Sequence, residues 1–263
     1  MIGFQQRVLI LVCLAFFSVG CKRSGAGAPG PAASGSAPPP AASRSAHGTH
    51  GRPRSPLRVT SVFAGGHRFL LFTAPRMELR LLRPDPDDSR ILLSVPGTYT
   101  SPEGKVEGIV VHDGGVIQKD RRAWEGVLVI RNGKPEVLRV AGDTLSEQQL
   151  ANLAAGGASL IQGHLLVSAG HLRPLKESDA LRRRAIATRH NGSFMIVESL
   201  EPLPLADFAE DVRALGARFA MNLDMGTWSE GFYRDPETGL VRRLGDDFGS
   251  TERQTNWLVL VAR

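Results

Sequence analysis

Short apolar runs bounded by turn residues dominate the chain from about residue 58 onward. Runs of this length, rich in β-branched and aromatic residues, are typical of β-strands with at least one buried face. In the first half they predict strands at Arg58–Phe63, His67–Phe72, Met77–Leu82 and Ile91–Val95. Near the end of the chain the same pattern predicts strands at Phe219–Leu223 and Trp257–Val261.

Three further pairs of apolar runs flank two-residue turns that are typical of β-hairpins. The turns are Asp113-Gly114, Asn132-Gly133 and Asn191-Gly192. The strands that they predict are Val110–His112 with Val116–Gln118, Val127–Arg131 with Val137–Val140, and Ala185–Thr188 with Phe194–Val197.

Two segments have helical spacing instead. Thr144 and Glu147 have capping-box spacing, which predicts a short helix to about Ala154. A second helix is predicted from Pro204 to Gly216, because one helical face carries Leu205, Phe208, Ala209, Val212 and Leu215. The predicted class is α+β: one mixed, strand-rich domain over residues 58–263, with a few helices packed on sheet.

The N-terminus has the layout of a secretory signal. Arg7 precedes an apolar stretch, Val8–Phe17, which is short for a bilayer span. The following Ser18-Val19-Gly20-Cys21 resembles the lipobox of bacterial lipoproteins, where the signal is cut before a cysteine that is then acylated. This interpretation predicts a signal peptide at 1–20 and lipidation at Cys21. The alternatives are an ordinary signal peptide or an uncleaved anchor.

Residues 21–57 are predicted to form a tether. Between Ser24 and Ser43 there is no large apolar residue, so this segment cannot bury enough surface to offset the cost of ordering it. Cys13 would leave with the signal, and lipid would occupy Cys21, so no disulfide or cysteine metal site is expected. The residue after Cys21 is Lys22, whereas an aspartate at this position often marks retention in the inner membrane. Lys22 therefore favours an outer-membrane address in the cell envelope.

The positive charge of the chain belongs to its N-terminal part. Residues 1–58 contain seven Lys or Arg and no acidic residue. Subtracting these seven from the 32 basic residues of the whole chain leaves 25, against 26 acidic residues, in 59–263. The predicted domain is therefore close to neutral, and nucleic-acid binding is disfavoured. The basic residues would lie near an anionic membrane surface.

The segment from Arg182 to Ser229 is the best candidate for chemistry. The predicted strand at 219–223 runs directly into polar residues, and period-two alternation places Asn222 and Asp224 on the same face. An amide and a carboxylate at the end of a buried strand suit the floor of a pocket. The alternative is that Asp224 and Gly226 form an ordinary turn.

The order of several motifs resembles the phosphodiester glycosidase family. Members carry a basic strand of the type Arg-x-Ala-x-Gly, a helix ending in Leu-Gly, and a strand running into Asn-Leu-Asp-Gly-Gly and then serine. The corresponding segments here are Arg184-Ala185-Ile186-Ala187, Leu215-Gly216, and Asn222-Leu223-Asp224-Met225-Gly226 with Ser229 behind. An earlier family turn and hairpin correspond to Pro96-Gly97-Thr98-Tyr99 and Gly108–Ile117, so the resemblance covers roughly residues 60–263.

The resemblance implies hydrolysis of the bond between a sugar's anomeric carbon and a phosphodiester oxygen, with a glycan or sugar phosphate as substrate. Such a reaction needs charge stabilisation for the phosphate and a carboxylate for the oxocarbenium-like centre or its attacking water. For this chemistry Arg184 is assigned to the phosphate, because two nitrogens of a guanidinium can bind two phosphate oxygens at once. Asp224 is assigned as the carboxylate, and Asn222 orients the substrate. The alternative for Arg184 is that it is solvated, like its neighbours Arg182 and Arg183. The resemblance places Ser229, Gly226, Gly97 and Tyr99 in substrate binding.

Departures from the family pattern keep a second function open. Pro96 replaces an asparagine, Met225 replaces a glycine, and Trp228 stands where small residues are usual. These residues favour the alternative of a catalytically inactive lipoprotein that binds a glycan or protein. Glu198, Glu230 and Asp113 are candidate second carboxylates that no motif fixes. The spacing of His112, His164 and His171 shows no ligand pattern, so no metal or other cofactor is assigned.

Overall fold

The computed structural model describes residues 55–101, 103–140, 145–176, 178–225, 229–245 and 254–262. The predicted signal peptide, Cys21 and nearly all of the predicted tether lie outside these ranges, as do Gly226 and Trp228. No helix within the ranges is long and apolar enough to cross a membrane.

Strands are the main regular structure of the described chain. In order they are β1 (Arg58–Ala64), β2 (His67–Thr73), β3 (Arg76–Arg80), β4 (Ile91–Pro96), β5 (Ile109–His112), β6 (Gly115–Lys119), β7 (Gly126–Arg131), β8 (Lys134–Arg139), β9 (Ser159–Gly163), β10 (Leu165–Ser168), β11 (His171–Leu172), β12 (Arg184–Arg189), β13 (Phe194–Ser199), β14 (Ala217–Asn222), β15 (Gly231–Arg234), β16 (Val241–Leu244) and β17 (Trp257–Val261). The helices in the same ranges are α1 (Glu147–Ala154) and α2 (Leu205–Ala214).

The strands form three sheets in which the neighbouring strands run antiparallel. The seven-stranded sheet has the order β1-β2-β13-β12-β14-β10-β11. The second sheet, called the β4 sheet below, has the order β16-β15-β4-β17-β3. The third, called the β9 sheet, has the order β6-β5-β9-β7-β8.

The three predicted hairpins are confirmed. β5 pairs with β6, β7 with β8, and β12 with β13. In the first two turns the backbone enters the left-handed region, with φ of 47° at Asp113 and 52° at Asn132, each followed by a glycine that also has positive φ. Asn and Asp tolerate this conformation better than other non-glycine residues, and consecutive positive φ values are what a type I′ turn requires.

One hydrophobic core joins the inner faces of all three sheets. Its buried members include Phe72, Ile186 and Met221 from the seven-stranded sheet, Leu93, Val95 and Leu258 from the β4 sheet, and Val110, Leu128 and Ile161 from the β9 sheet. Helix α2 covers the outer face of the seven-stranded sheet through Phe208 and Val212. Helix α1 covers the β9 sheet through Leu150.

The predicted α+β class is wrong, because the architecture is mostly β. The two helices have 8 and 10 residues, and each only covers the outside of a sheet. The main core is built from sheet packed on sheet, so strands determine the architecture. The predicted helix near Thr144 exists, but its cap is Ser146, which forms a capping box with Gln149.

Candidate active site

Two neighbouring strands of the seven-stranded sheet bring the predicted residues together. β12 and β14 pair antiparallel, with Ala185 opposite Asn222, so Arg184 lies beside the end of β14. The pairing continues past the strand, since the Leu223 N–H donates to the Arg184 carbonyl at 3.0 Å. The alternation along β14 therefore places Asn222 and Asp224 at the end of this interior strand, beside the start of β12.

Asp224 lies where the seven-stranded sheet meets the β4 sheet. Its backbone N–H donates to the carbonyl of Gly97 at 2.8 Å, directly after β4. Its Oδ2 accepts a hydrogen bond from the Thr100 N–H at 3.0 Å. The side chain is 3% exposed, so its carboxyl group is held by backbone contacts in a site that solvent barely reaches.

Burial raises the pKa of Asp224 from 3.8 to about 8. Desolvation is the largest cause, because removing water penalises the charged carboxylate. Hydrogen bonds from the backbone of Thr100 and Met225, and the charge of Arg184, lower the pKa without cancelling this effect. The Asp224 carboxyl group is therefore largely protonated at neutral pH, which is the form of a general acid and differs from the ionised carboxylate that was expected from the sequence.

Asn222 and Tyr99 contact each other beside Asp224. The Asn222 Nδ2 donates to the Tyr99 hydroxyl and to the Leu223 carbonyl, while Asn222 Oδ1 has no protein partner. Burial raises the pKa of Tyr99 to about 12, and the nearby charge of Asp224 adds to the shift. The Tyr99 phenol is thus a neutral hydroxyl over the whole physiological range.

Arg184 is held in a fully buried ion pair. Its Nε and Nη2 both donate to Oε2 of Glu198, at 2.9 and 2.6 Å, and both side chains are 0% exposed. Nη2 also donates to the Ser229 carbonyl at 3.1 Å. The second oxygen of Glu198 accepts from Arg182 at 2.8 Å. With these bonds in place, Nη1 is the nitrogen of Arg184 left to donate to a phosphate, whereas the sequence predicted that two of its nitrogens would bind the phosphate.

Three polar atoms around Asp224 are buried without a protein partner. They are Asn222 Oδ1, Arg184 Nη1 and Thr100 Oγ1. Buried polar atoms in folded proteins almost always make hydrogen bonds, and exceptions often mark the position of a water or ligand. One acceptor, one cationic donor and one hydroxyl near Asp224 therefore lack a protein partner, which marks this region as a candidate position for a water or a polar ligand.

Glu107 is a second acidic residue near the site that the sequence did not reveal. Its backbone N–H donates to the Tyr99 carbonyl at 2.8 Å, and its negative charge contributes to the raised pKa of Asp224. The side chain is 34% exposed, so water reaches it, and its Oε1 lies 3.9 Å from Arg122 Nη2. Of the carboxylates considered from the sequence, Glu198 is occupied by arginines, Glu230 contacts Arg83, and Asp113 lies in a hairpin turn.

An aromatic cluster of Tyr99, Trp124 and His164 lies beside Asn222, to which Tyr99 is hydrogen bonded. The ring of Trp124 lies 5.1 Å from that of Tyr99 and 4.9 Å from that of His164, measured between centroids. Gly108, at φ +89°, makes room for the indole, because a Cβ there would lie 2.9 Å from Trp124 Cζ3. Burial lowers the pKa of His164, so its imidazole stays neutral beside the two rings.

The remaining residues predicted to bind substrate have different positions. Gly97 is needed for close packing, since a Cβ there would lie 2.3 Å from Asn256 Oδ1. Ser229 is 2% exposed and contacts Arg184 through its carbonyl. Gly226 lies outside the described residues. Within the described ranges, no group of three or more His, Cys, Asp or Glu is placed to hold a metal.

A buried, protonated carboxyl group with a second carboxyl nearby is the pairing that glycoside hydrolases use. The sequence comparison agrees with this class, because the profile of the phosphodiester glycosidase family matches residues 89–261. The chain belongs to that family, whose members act on phosphodiester-linked sugars. Among curated proteins, none matches the chain.

Solved structures share the fold at low sequence identity. The catalytic domain of zebrafish N-acetylglucosamine-1-phosphodiester alpha-N-acetylglucosaminidase, auto-inhibited by its pro-peptide, is 13% identical, with a TM-score of 0.57. The match covers 79% of this chain and 82% of that one. A protein of Burkholderia pseudomallei is 12% identical over 74% of each chain, with a TM-score of 0.50.

Proposed function

We propose that this protein hydrolyses the bond between the anomeric carbon of a sugar and a phosphodiester oxygen, in envelope or extracellular glycans. The observation that carries the proposal is the buried Asp224 carboxyl group, whose pKa is raised to about 8 beside three polar atoms without partners. The family membership of residues 89–261 supports the same reaction.

The roles of the side chains follow from their surroundings. Asp224 donates its proton to the phosphate oxygen as the bond to the anomeric carbon breaks, and Glu107 accepts a proton from the water that attacks this carbon. The water's hydroxyl ends on the sugar, the Asp224 proton ends on the phosphate, and solvent exchange returns Glu107 and Asp224 to their starting forms. Arg184 Nη1 donates to the phosphate, and Asn222 Oδ1 accepts from a sugar hydroxyl.

The proposal is tested by incubating the chain from Arg58 onward with a panel of sugar-1-phosphate diesters. We expect turnover by the wild type and a loss of at least about 100-fold in Asp224→Asn, since general acid–base catalysis contributes about that much. Asp113→Asn is the matched control, because it makes the same chemical change in a side chain that is 77% exposed. A folded protein that binds a diester without cleaving it would contradict the proposal and favour the inactive binding protein.

We also infer that lipid on Cys21 attaches the protein to a membrane, most simply the outer membrane of the cell envelope. The inference rests on the apolar Val8–Phe17 stretch that precedes small residues and Cys21. In cells that express the full chain, we expect labelled fatty acid on the wild type and none on Cys21→Ser. Cys13→Ser is the control, and equal labelling of both variants would exclude lipidation at Cys21.

A further inference from the structure

Three arginines lie at the end of the seven-stranded sheet that is opposite the candidate active site. β1 begins at Arg58, β12 ends at Arg189, and Arg218 is the second residue of β14. Four strand spacings of about 4.8 Å separate β1 from β14 in this antiparallel sheet, so the three Cα atoms lie within about 20 Å of one another. These residues are called the Arg189 patch below.

The charges of the Arg189 patch are not compensated by ion pairs. Within the described ranges, none of its three guanidinium groups forms an ion pair with a carboxylate, whereas Arg68, at the other end of β2, pairs with Glu201 at 2.7 Å. The Arg218 guanidinium lies over the Phe219 ring, with Cζ 5.5 Å from the ring centroid, and this contact positions the cation without neutralising it. The patch is therefore available to an anion from outside the domain.

Arg189 lines two cavities at this end of the sheet. Arg218, His190 and Glu136 line one cavity with it, and Arg58 lines the other. Glu136 is the acidic residue among those that line the two cavities, so three guanidinium charges less one carboxylate leave +2, with His190 counted as neutral. Residues 59–263 contain 25 basic and 26 acidic residues, so this excess is local and does not extend over the whole domain.

The chain that leads from Cys21 enters the domain at the same end. Arg58 follows Cys21 by 37 residues, Arg52 and Arg54 lie just before it, and no acidic residue occurs up to this point. Lipid on Cys21, as proposed above, would make docking of the domain on the same membrane an intramolecular step, for which a surface of modest affinity is sufficient. Lys and Arg residues close to a lipid anchor are attracted by anionic lipid headgroups.

β12 connects the Arg189 patch with the candidate active site. Arg184, in the site, is the first residue of this strand and Arg189 is the last, so five steps of about 3.4 Å separate them by about 17 Å. Asn222 is likewise the last residue of β14, whereas Arg218 is near its start. A membrane bound at the patch would therefore leave the site on the side of the domain that faces away from the lipid.

We propose that the Arg189 patch docks the domain on an anionic membrane, with its guanidinium groups bound to the phosphates of lipid headgroups. The proposal goes beyond the hydrolytic reaction and does not depend on it. A lipid surface is favoured over a nucleic acid because the patch is small, the rest of the domain is close to neutral, and the chain from Cys21 enters at this end.

The test measures sedimentation of residues 21–263 with phospholipid vesicles, in a parent chain that carries Cys21→Ser and therefore no lipid. This chain contains every described strand and helix. We expect it to bind vesicles of phosphatidylcholine and phosphatidylglycerol, to bind phosphatidylcholine alone much more weakly, and to lose binding as salt is raised. Arg189→Gln with Arg218→Gln should lower the affinity about 25-fold, or about five-fold for each arginine, whereas Arg189→Lys with Arg218→Lys keeps the charge and should retain most of the affinity.

Arg68→Gln with Arg121→Gln is the matched control, because it removes the same two charges from arginines that each pair with a glutamate. If thermal unfolding shows that the patch variant is destabilised, Arg58→Gln with Arg218→Gln takes its place, since both of these side chains are exposed. An equal loss of binding in the control would mean that net charge alone drives binding, and would refute the patch. An unchanged affinity in the patch variant, or no binding by the parent chain, would refute it as well.

Discussion

At the scale of single residues, the environment of Asp224 determines its chemistry. The same side chain in an exposed turn would be an ordinary carboxylate, but burial at the junction of two sheets keeps it protonated near neutral pH. The backbone bond from Thr100 fixes its orientation. A buried acid of this kind combines a defined position with a proton available to a leaving oxygen.

The first prediction concerns the pH dependence of catalysis. Asp224 acts as an acid, so the active form is lost as pH rises through its pKa of about 8. We expect kcat/KM to fall above that pH in proportion to the protonated fraction. The check is a pH–rate profile between pH 5 and 10 on one diester whose own groups do not titrate there. A rate that rises through pH 8 would show that the ionised form is the active one.

A second prediction tests the buried ion pair of Arg184. Glu198→Gln removes the partner charge from a fully buried guanidinium, and breaking such a pair costs about 3–5 kcal/mol. Glu201→Gln is the control, because it breaks a pair with Arg68 in which both side chains are at least 36% exposed. Urea unfolding of the two variants measures the difference. Equal small losses would mean that Glu198 contributes little to the fold.

The sequence predicted Arg184, Asn222 and Asp224 because they lie on or directly after regular strands. Alternation along β14 fixes the face of Asn222 and Asp224, and the neighbouring β12 brings Arg184 beside them. Glu107 and the contact of Tyr99 with Asn222 could not be predicted in this way. They lie between β4 and β5, where the backbone is irregular and no repeat relates sequence position to direction.

At the scale of elements, the hairpins and helix α2 were predictable because local sequence determines them. Asp-Gly and Asn-Gly turns fix a register within a few residues, and the apolar face of α2 repeats at helical spacing. The assembly of strands into three sheets depends on long-range pairs such as β2 with β13 and β4 with β17, which no local pattern specifies. For that reason the fold class was misjudged although many of its elements were predicted.

Helix α2 should contribute to stability through Phe208. This side chain is 0% exposed and its ring lies 6.1 Å from that of Phe69 on the outer face of the seven-stranded sheet. Phe208→Ala should cost about 3–5 kcal/mol of unfolding free energy, through lost burial and a residual cavity. Phe63→Ala is the matched control, since Phe63 is 73% exposed. Similar denaturation midpoints for both variants would contradict this packing.

At the scale of the whole molecule, the buried acid links the stability of the fold to pH. The pKa of Asp224 is raised in the folded state, so its contribution is most favourable below the unfolded value of 3.8 and is lost as pH rises towards about 8. Asp224→Asn cannot ionise. We expect the wild type to lose stability relative to this variant across that window, by at most about 1.4 kcal/mol per pH unit.

Unfolding free energies of both proteins at intervals between pH 4 and 9 measure this difference. A constant difference would show that the pKa of Asp224 is the same in the folded and unfolded states. If the wild type instead gained stability relative to the variant as pH rises, the folded state would stabilise the carboxylate, and the assignment of Asp224 as an acid would fail.

The three sheets form one scaffold that brings Asp224, Arg184 and Asn222 together at the ends of β12 and β14, and we propose that this site breaks the carbon–oxygen bond of a sugar phosphodiester. The most direct test is hydrolysis of a sugar-1-phosphate diester in oxygen-18-enriched water, with phosphorus NMR of the released phosphomonoester. Attack at the anomeric carbon puts the heavy oxygen on the sugar, so we predict an unlabelled phosphomonoester. A labelled phosphomonoester would show attack at phosphorus and contradict the proposed reaction, as would the absence of turnover by the folded protein.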